Sequence, residues 1–218
     1  MRALAIAVTV AMLGAAPNDA ARFAGAYVPG GALKLARLPT GALVAVGERG
    51  TGLDRSWGSS LLYAEAGRAP VELCDRVFYA SHPLALPSGE VAVERGVAGP
   101  TVPGRVRVDA LTIDAVDPRT RGARTIYATT GFEAHLAALA GDEIIVYLVQ
   151  PGMASLRAID WRSGRERVIL PSLPPYAHDF AVEGGALVVH NRDDVRPALE
   201  TVERIDLADG TRTRLETR

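Results

Sequence analysis

His82, His135 and His178 are the side chains of this chain best suited to chemistry. Each stands ahead of a short apolar segment that runs into a Gly-bearing turn. Three imidazoles at one repeated position could hold a divalent metal, which would acidify a bound water or a substrate proton. His190, Asp179 and Tyr176 lie beside them in sequence and complete the set of ligand-face candidates. A plainer reading competes with the metal. A histidine belonging to a repeating unit would bond backbone in every copy and do no chemistry. Recurrence favours this plainer reading, because a site seldom draws the same residue type from each copy. Lys34 stands near the same position in an earlier copy, so a ring of histidines is incomplete.

Other arrangements are weaker. No Gly-x-Ser-x-Gly elbow is present, and no Gly-rich phosphate loop precedes a helix. Asp193 and Asp194 could bind calcium, but beside Arg192 and Arg196 they read as a solvated charge cluster. Phe78 and Tyr79, like Tyr176, precede histidines and could line a ligand mouth. Packing between neighbouring units is the favoured reading for them, since aromatic rings dominate cores. Cys74 is the single cysteine, which excludes an internal disulfide and a thiolate metal site. In Val71-Glu72-Leu73-Cys74 it reads as a small packed residue.

The elements that must position these residues are repeats. Ala32 to Leu38 leads through Pro39-Thr40-Gly41 into Ala42-Leu43-Val44-Ala45-Val46. His82-Pro83-Leu84-Ala85-Leu86 leads through Pro87-Ser88-Gly89 into Glu90-Val91-Ala92-Val93. His135 to Leu139 leads through Gly141-Asp142 into Glu143-Ile144-Ile145-Val146-Tyr147, and His178 to Val182 through Gly184-Gly185 into Ala186-Leu187-Val188-Val189. The turn glycines recur at the ~40–50 residue period of a four-stranded blade. Second halves agree: Leu156 to Asp160 precedes a turn with Gly164, Val202 to Leu207 one with Gly210, and Asp117 stands ahead of Gly122. Asp at such a corner accepts backbone N–H groups while Gly takes positive φ, so these aspartates are read as turn residues. Alternating polar and apolar positions predict strands with one wet face. Residues 131–140, the best helical candidate, fall in register with the repeat.

Composition narrows the functions. Twenty-four basic residues against 25 acidic ones give a formal charge of -1, so no basic field attracts nucleic acid or anionic lipid. Met1-Arg2, an apolar run over residues 3–13 and the small residues Gly14-Ala15-Ala16 predict a signal peptide over residues 1–21. The run is too short for a stable membrane anchor. Periplasmic or secreted location follows from that leader.

The strand, Pro-polar-Gly turn, apolar strand and "Ile-Asp-…-Gly" hairpin resemble the propeller repeat of TolB and related periplasmic proteins. His82-Pro83 with Pro87-Ser88-Gly89, and Ile205-Asp206-Leu207 with Asp209-Gly210, carry the likeness. The resemblance implies an all-β, propeller-like fold with four recognisable four-stranded blades, over about residues 31–76, 77–130, 131–172 and 173–218. A closed ring, an open arc and an incomplete ring are all compatible with four copies. An open arc would expose strand edges and invite self-association. In such a fold the innermost strand of each blade starts on one face, beside the central channel, and places all four histidines there. The leading expectation is a non-catalytic exported domain that needs no cofactor. It would present loops 47–59, 95–104 and 192–199 to a protein, peptide or glycan. The alternative is a metal-dependent lyase or hydrolase with one divalent ion on His82, His135 and His178.

Overall fold

The computed structural model describes residues 19–28, 33–49, 58–79, 81–98, 108–129, 133–150, 152–173, 177–192 and 201–217. Among the described residues, sixteen strands fall into four sets of four. The first set is β1 (Lys34–Arg37), β2 (Leu43–Glu48), β3 (Ser59–Ala64) and β4 (Val71–Val77). The second is β5 (Leu84–Ala85), β6 (Val91–Ala98), β7 (Val108–Val116) and β8 (Ala123–Thr129). The third is β9 (Glu133–Ala140), β10 (Glu143–Gln150), β11 (Met153–Asp160) and β12 (Glu166–Leu173). The fourth is β13 (Ala177–Glu183), β14 (Ala186–Arg192), β15 (Thr201–Asp206) and β16 (Arg212–Thr217). Within each set the pairings are antiparallel between sequence neighbours, so each set is a meandering blade, and one further pairing, Val77 with Arg95, joins the first two blades into a single sheet.

Local chemistry makes these strands. The second strand of each blade is an unbroken apolar run: Leu43 to Val46, Val91 to Val93, Ile144 to Leu148 and Ala186 to Val189 are all buried. A strand covered on both faces has this composition rather than an alternation. The turn before it repeats too. The Leu38 N–H donates to the Ala42 carbonyl and the Leu86 N–H to the Glu90 carbonyl, each around a glycine at positive φ. At the far corner, Asp160 Oδ1 accepts the Arg162 and Ser163 N–H groups at 3.0 and 2.8 Å. Asp117 accepts the Arg119 N–H and Asp206 the Ala208 N–H, as their turn role requires. The accepted N–H groups and the Thr120 and Ser163 hydroxyls hold Asp117 and Asp160 below the usual carboxylate range.

Core clusters lie between blades. Val44, Val46, Leu61 and Val77 meet Val91, Val93 and Val116 across the first junction. Ala92, Ile113 and Ile126 meet Ile144, Val146 and Trp161 across the second. Ile145, Tyr147 and Leu156 meet Leu187, Val189 and Ile205 across the third. The back of the first blade is covered by the chain's own leading segment. Phe23, Ala26 and Tyr27, around a 3-10 turn over Ala20–Phe23, pack on Leu43, Ala45 and Leu62. The Tyr27 hydroxyl donates to the Ala45 carbonyl, and burial raises its pKa well above the ordinary phenol value. No core cluster among the described residues joins the first and last blades, and the four blades form an open propeller-like arc.

Residues 1–18 of the expected leader lie outside the described residues. Asp19 is within them, buried and ion-paired with Arg37 at 2.5 Å. Among the described residues no helix is long and apolar enough to cross a membrane.

Candidate binding rim

Chain direction sorts the connections onto two rims. The β1–β2 and β3–β4 turns and their counterparts share one rim. The β2–β3 type hairpins and the blade-to-blade links share the other, where the innermost strands begin. The predicted histidines are on this second rim. His82 precedes β5, His135 is the third residue of β9, and His178 is the second of β13. Lys34 opens β1 at the same place in the repeat.

His82 is exposed at this rim, with its ring partly covered. Burial of the ring lowers its pKa below the ordinary histidine value, Lys34 adds to this, and Asp179 opposes it. Groups from the first, second and fourth blades therefore act on one imidazole.

His135 has a different setting. Its Nδ1 lies 3.2 Å from Glu94 Oε2 and its Nε2 lies 3.4 Å from Glu133 Oε2. Glu94 is buried on β6, and its Oε1 accepts the Leu136 N–H at 2.6 Å. The Glu94 N–H donates in turn to Ser81 Oγ at 3.0 Å, and Ser81 is fully buried. Burial opposes charging the His135 ring, but the hydrogen bonds and charges of Glu94 and then Glu133 outweigh it, so its pKa is raised. This histidine is a stitch between the second and third blades as well as a rim residue.

The other candidates divide. His190 lies near the end of β14, opposite Asp179 and Val202, and its buried Nε2 has no hydrogen-bond partner among the described residues. Tyr176 and the side chain of His178 lie outside the described residues, as do residues 50–57, 99–104 and 193–199 of the expected loops. Among the described residues no three His, Cys, Asp or Glu side chains converge on a single ion position. Cys74 packs on the first core, and burial pushes its thiol up to about 12.

The sequence favours placing Phe78 and Tyr79 between blades, and the structure separates them. Phe78 is half-buried, 5.2 Å from the His135 ring and edge-on to Tyr79 at 4.8 Å. Tyr79 is 58% exposed. Val97 and Met153, at 45% and 39%, are also exposed toward this rim. A shelf of Tyr79, Phe78 and His135 results, with the Glu133 carboxylate at its edge. Sequence reasoning misses Glu94 and Glu133. The available signal is a carboxylate ending the apolar run Val91-Ala92-Val93, where the other blades carry Val46, Tyr147 and His190.

The opposite rim carries two matching clamps. Arg124 on β8 meets Glu90 through Nε and Nη2 at 2.9 and 2.8 Å, while its Nη1 donates to the Trp161 carbonyl of the next blade at 2.7 Å. Arg167 on β12 meets Glu143 in the same way and donates to the Leu207 carbonyl at 2.7 Å. The Arg162 guanidinium covers the Trp161 ring at 4.0 Å.

Comparison with known proteins supports this architecture. No protein-family model matches the chain, and no curated protein matches it in sequence. Solved structures do. A puromycin hydrolase aligns with a TM-score of 0.61 at 18% identity, over 86% of this chain and 29% of that one. An oligogalacturonate lyase in complex with manganese aligns at 0.61 and 13%, over 86% and 53%. TolB from Acinetobacter baumannii aligns at 0.57 and 14%, over 81% and 42%. This chain thus spans about half or less of the length of those proteins. At these identities the likeness is one of fold. The chain has a TolB-like β-propeller fold, built as an open arc of four blades.

Proposed function

We propose that the chain is a non-catalytic, exported binding domain that presents the histidine-bearing rim to a protein, peptide or glycan. The observation that carries this reading is the aromatic shelf. Tyr79 is 58% exposed and is braced edge-on by Phe78, which packs in turn on His135. An exposed ring held rigidly on a rim loses little entropy on binding and supplies a large amphipathic contact. Rigid blades with variable rim connections are a scaffold suited to that use.

The test is an array of peptides and glycans probed with the wild-type chain and with Tyr79→Ala, both checked for equal melting temperature. Every specific signal should fall sharply in the variant. Signals that survive the loss of Tyr79 would move the binding face elsewhere. Export is tested by fractionating cells that carry the full chain, with recovery outside the cytoplasm expected.

A metal-dependent lyase or hydrolase is the second reading, favoured by the fold shared with a manganese-bound oligogalacturonate lyase. It requires His82, His135 and His178 to reach one ion. Metal content of the wild type and of His82→Ala after reconstitution decides it. A stoichiometric ion lost in the variant would replace the binding reading with the enzymatic one.

A further inference from the structure

We propose that His135 Nε2 is the docking point for the C-terminal carboxylate of a peptide whose apolar last side chain lies on the Phe78–Tyr79 shelf. This rests on the rim being a binding face and names its ligand chemistry.

The argument begins at Glu94. Its carboxylate is buried and fixed at both oxygens, by the Leu136 N–H and by His135 Nδ1. A buried carboxylate needs a donor, so Nδ1 carries a proton toward it. Nε2 is then the free end of the ring, directed at the rim. There it meets Glu133, at a long 3.4 Å, and the Glu133 side chain is 68% exposed. A solvated ion pair of that length contributes little. Glu133 therefore occupies a carboxylate position without filling it firmly, as an in-chain placeholder that a ligand carboxylate can displace. Glu94 from β6 and Glu133 from β9 are the charged groups acting on His135. Both raise its pKa against the opposing effect of burial and so favour the charged ring, in which Nε2 also carries a proton.

Geometry selects the rest of the ligand. Phe78 lies 5.2 Å from the imidazole and Tyr79 a further 4.8 Å from Phe78, which suits an apolar side chain attached next to the carboxylate. Among the described residues the shelf has an exposed side, with Tyr79 58% exposed. It suits a chain end, with the preceding peptide leaving over the rim.

The test uses the full chain labelled with 15N and three acetylated probes: Gly-Gly-Phe with a free carboxylate, its C-terminal amide, and Gly-Gly-Gly with a free carboxylate. Titrations at pH 6 follow the Tyr79, Glu133, His135 and Leu136 amide resonances. The free Phe acid should shift them saturably, and the other two probes several-fold more weakly. Glu133→Gln removes the competing carboxylate, so affinity for the free acid should rise by roughly two- to five-fold. This variant alters an exposed side chain and keeps the fold. A merely structural His135 would leave that affinity unmoved. Equal binding of acid and amide, or no gain in Glu133→Gln, overturns the carboxylate assignment. If acid and amide bind equally and Tyr79→Ala abolishes both, the binding-rim reading survives that failure. No rim shift with any probe overturns the carboxylate assignment too, and the peptide and glycan array then decides the rim separately.

Discussion

The junction between the first two blades is built differently from the two that follow. At the later junctions the blades are separate sheets, stacked face to face and held at one rim by an arginine clamp. Arg124 and Arg167 each bind a glutamate of their own blade and a carbonyl of the next. In both cases a glycine at positive φ, Gly164 or Gly210, approaches the outer strand of the preceding blade. At the first junction the arginine position is Val71, the partnering glutamate is Ala42, and the glycine position is Arg121. There the sheet itself continues. Val77 pairs with Arg95, and the Phe78 N–H donates to the Glu94 carbonyl. Arg95 then bridges Asp75 and the buried Asp114. Backbone pairing at one rim thus substitutes for side-chain clamping at the other. It also tilts Phe78 and Tyr79 onto the rim where the shelf stands.

That contrast can be broken at each junction. The largest effect is expected from Arg95→Ala, which strands Asp114, only 8% exposed, with the Thr125 hydroxyl as its remaining partner. Urea denaturation should show a loss of roughly 2–3 kcal/mol, because an uncompensated buried carboxylate is costly. Gly210→Ala comes next. Its φ is 75°, and a Cβ there would collide with the Ile169 carbonyl. A loss of about 2 kcal/mol is expected. Gly164→Ala, where the Ile126 carbonyl is 3.4 Å away, should lose about half as much. Equal losses would show that φ alone matters.

Arg167→Ala and Arg124→Ala should each cost about 1 kcal/mol, since the guanidinium pairs are partly solvated and only the carbonyl bond is well shielded. A loss near zero would reduce the clamps to surface ion pairs.

The two rim histidines sharpen the comparison through pH. The folded pKa of His135 is raised, so its stabilisation is complete below the unfolded value near ~6.5 and is lost as pH rises through the folded value. For His82 the folded pKa is lowered, chiefly by burial. Its neutral form is favoured by folding, and stability falls as pH drops below ~6.5. Thermal melts at pH 5 and pH 8 should therefore show His135→Gln losing stability mainly on the acid side, and His82→Gln gaining there. The smallest effect is expected at Arg121, a non-glycine at φ 59°. Arg121→Gly should stabilise by about 0.5 kcal/mol, measured by the same denaturation.

The four blades are legible in the amino-acid sequence because each rests on local rules. A glycine that must take positive φ, an aspartate that must accept N–H groups, and a strand wet on one face or buried on both all leave marks within a few residues. The rim is legible only in part. His82 and His135 stand where the repeat places them, yet they differ in exposure and in the direction of their pKa shifts. Glu133, two residues from His135, is the one local mark that distinguishes them. The stronger partner is remote: Glu94 lies 41 residues from His135. Aromatic rings usually pack into cores, and that rule alone puts Tyr79 between blades. It faces solvent because β4 joins β6 and turns the following residues outward.

Composition, period and turn chemistry suffice for an all-β chain of four like units, since those properties depend on φ, ψ and neighbours along the backbone. The angle at which one blade meets the next is settled in three dimensions. With it come the pairing of Glu94 with His135, the grip of Arg124 on Trp161, and the cover that Phe23 and Tyr27 give the first blade. Such contacts depend on register and distance between strands far apart in sequence, and the local pattern of residues carries no measure of either.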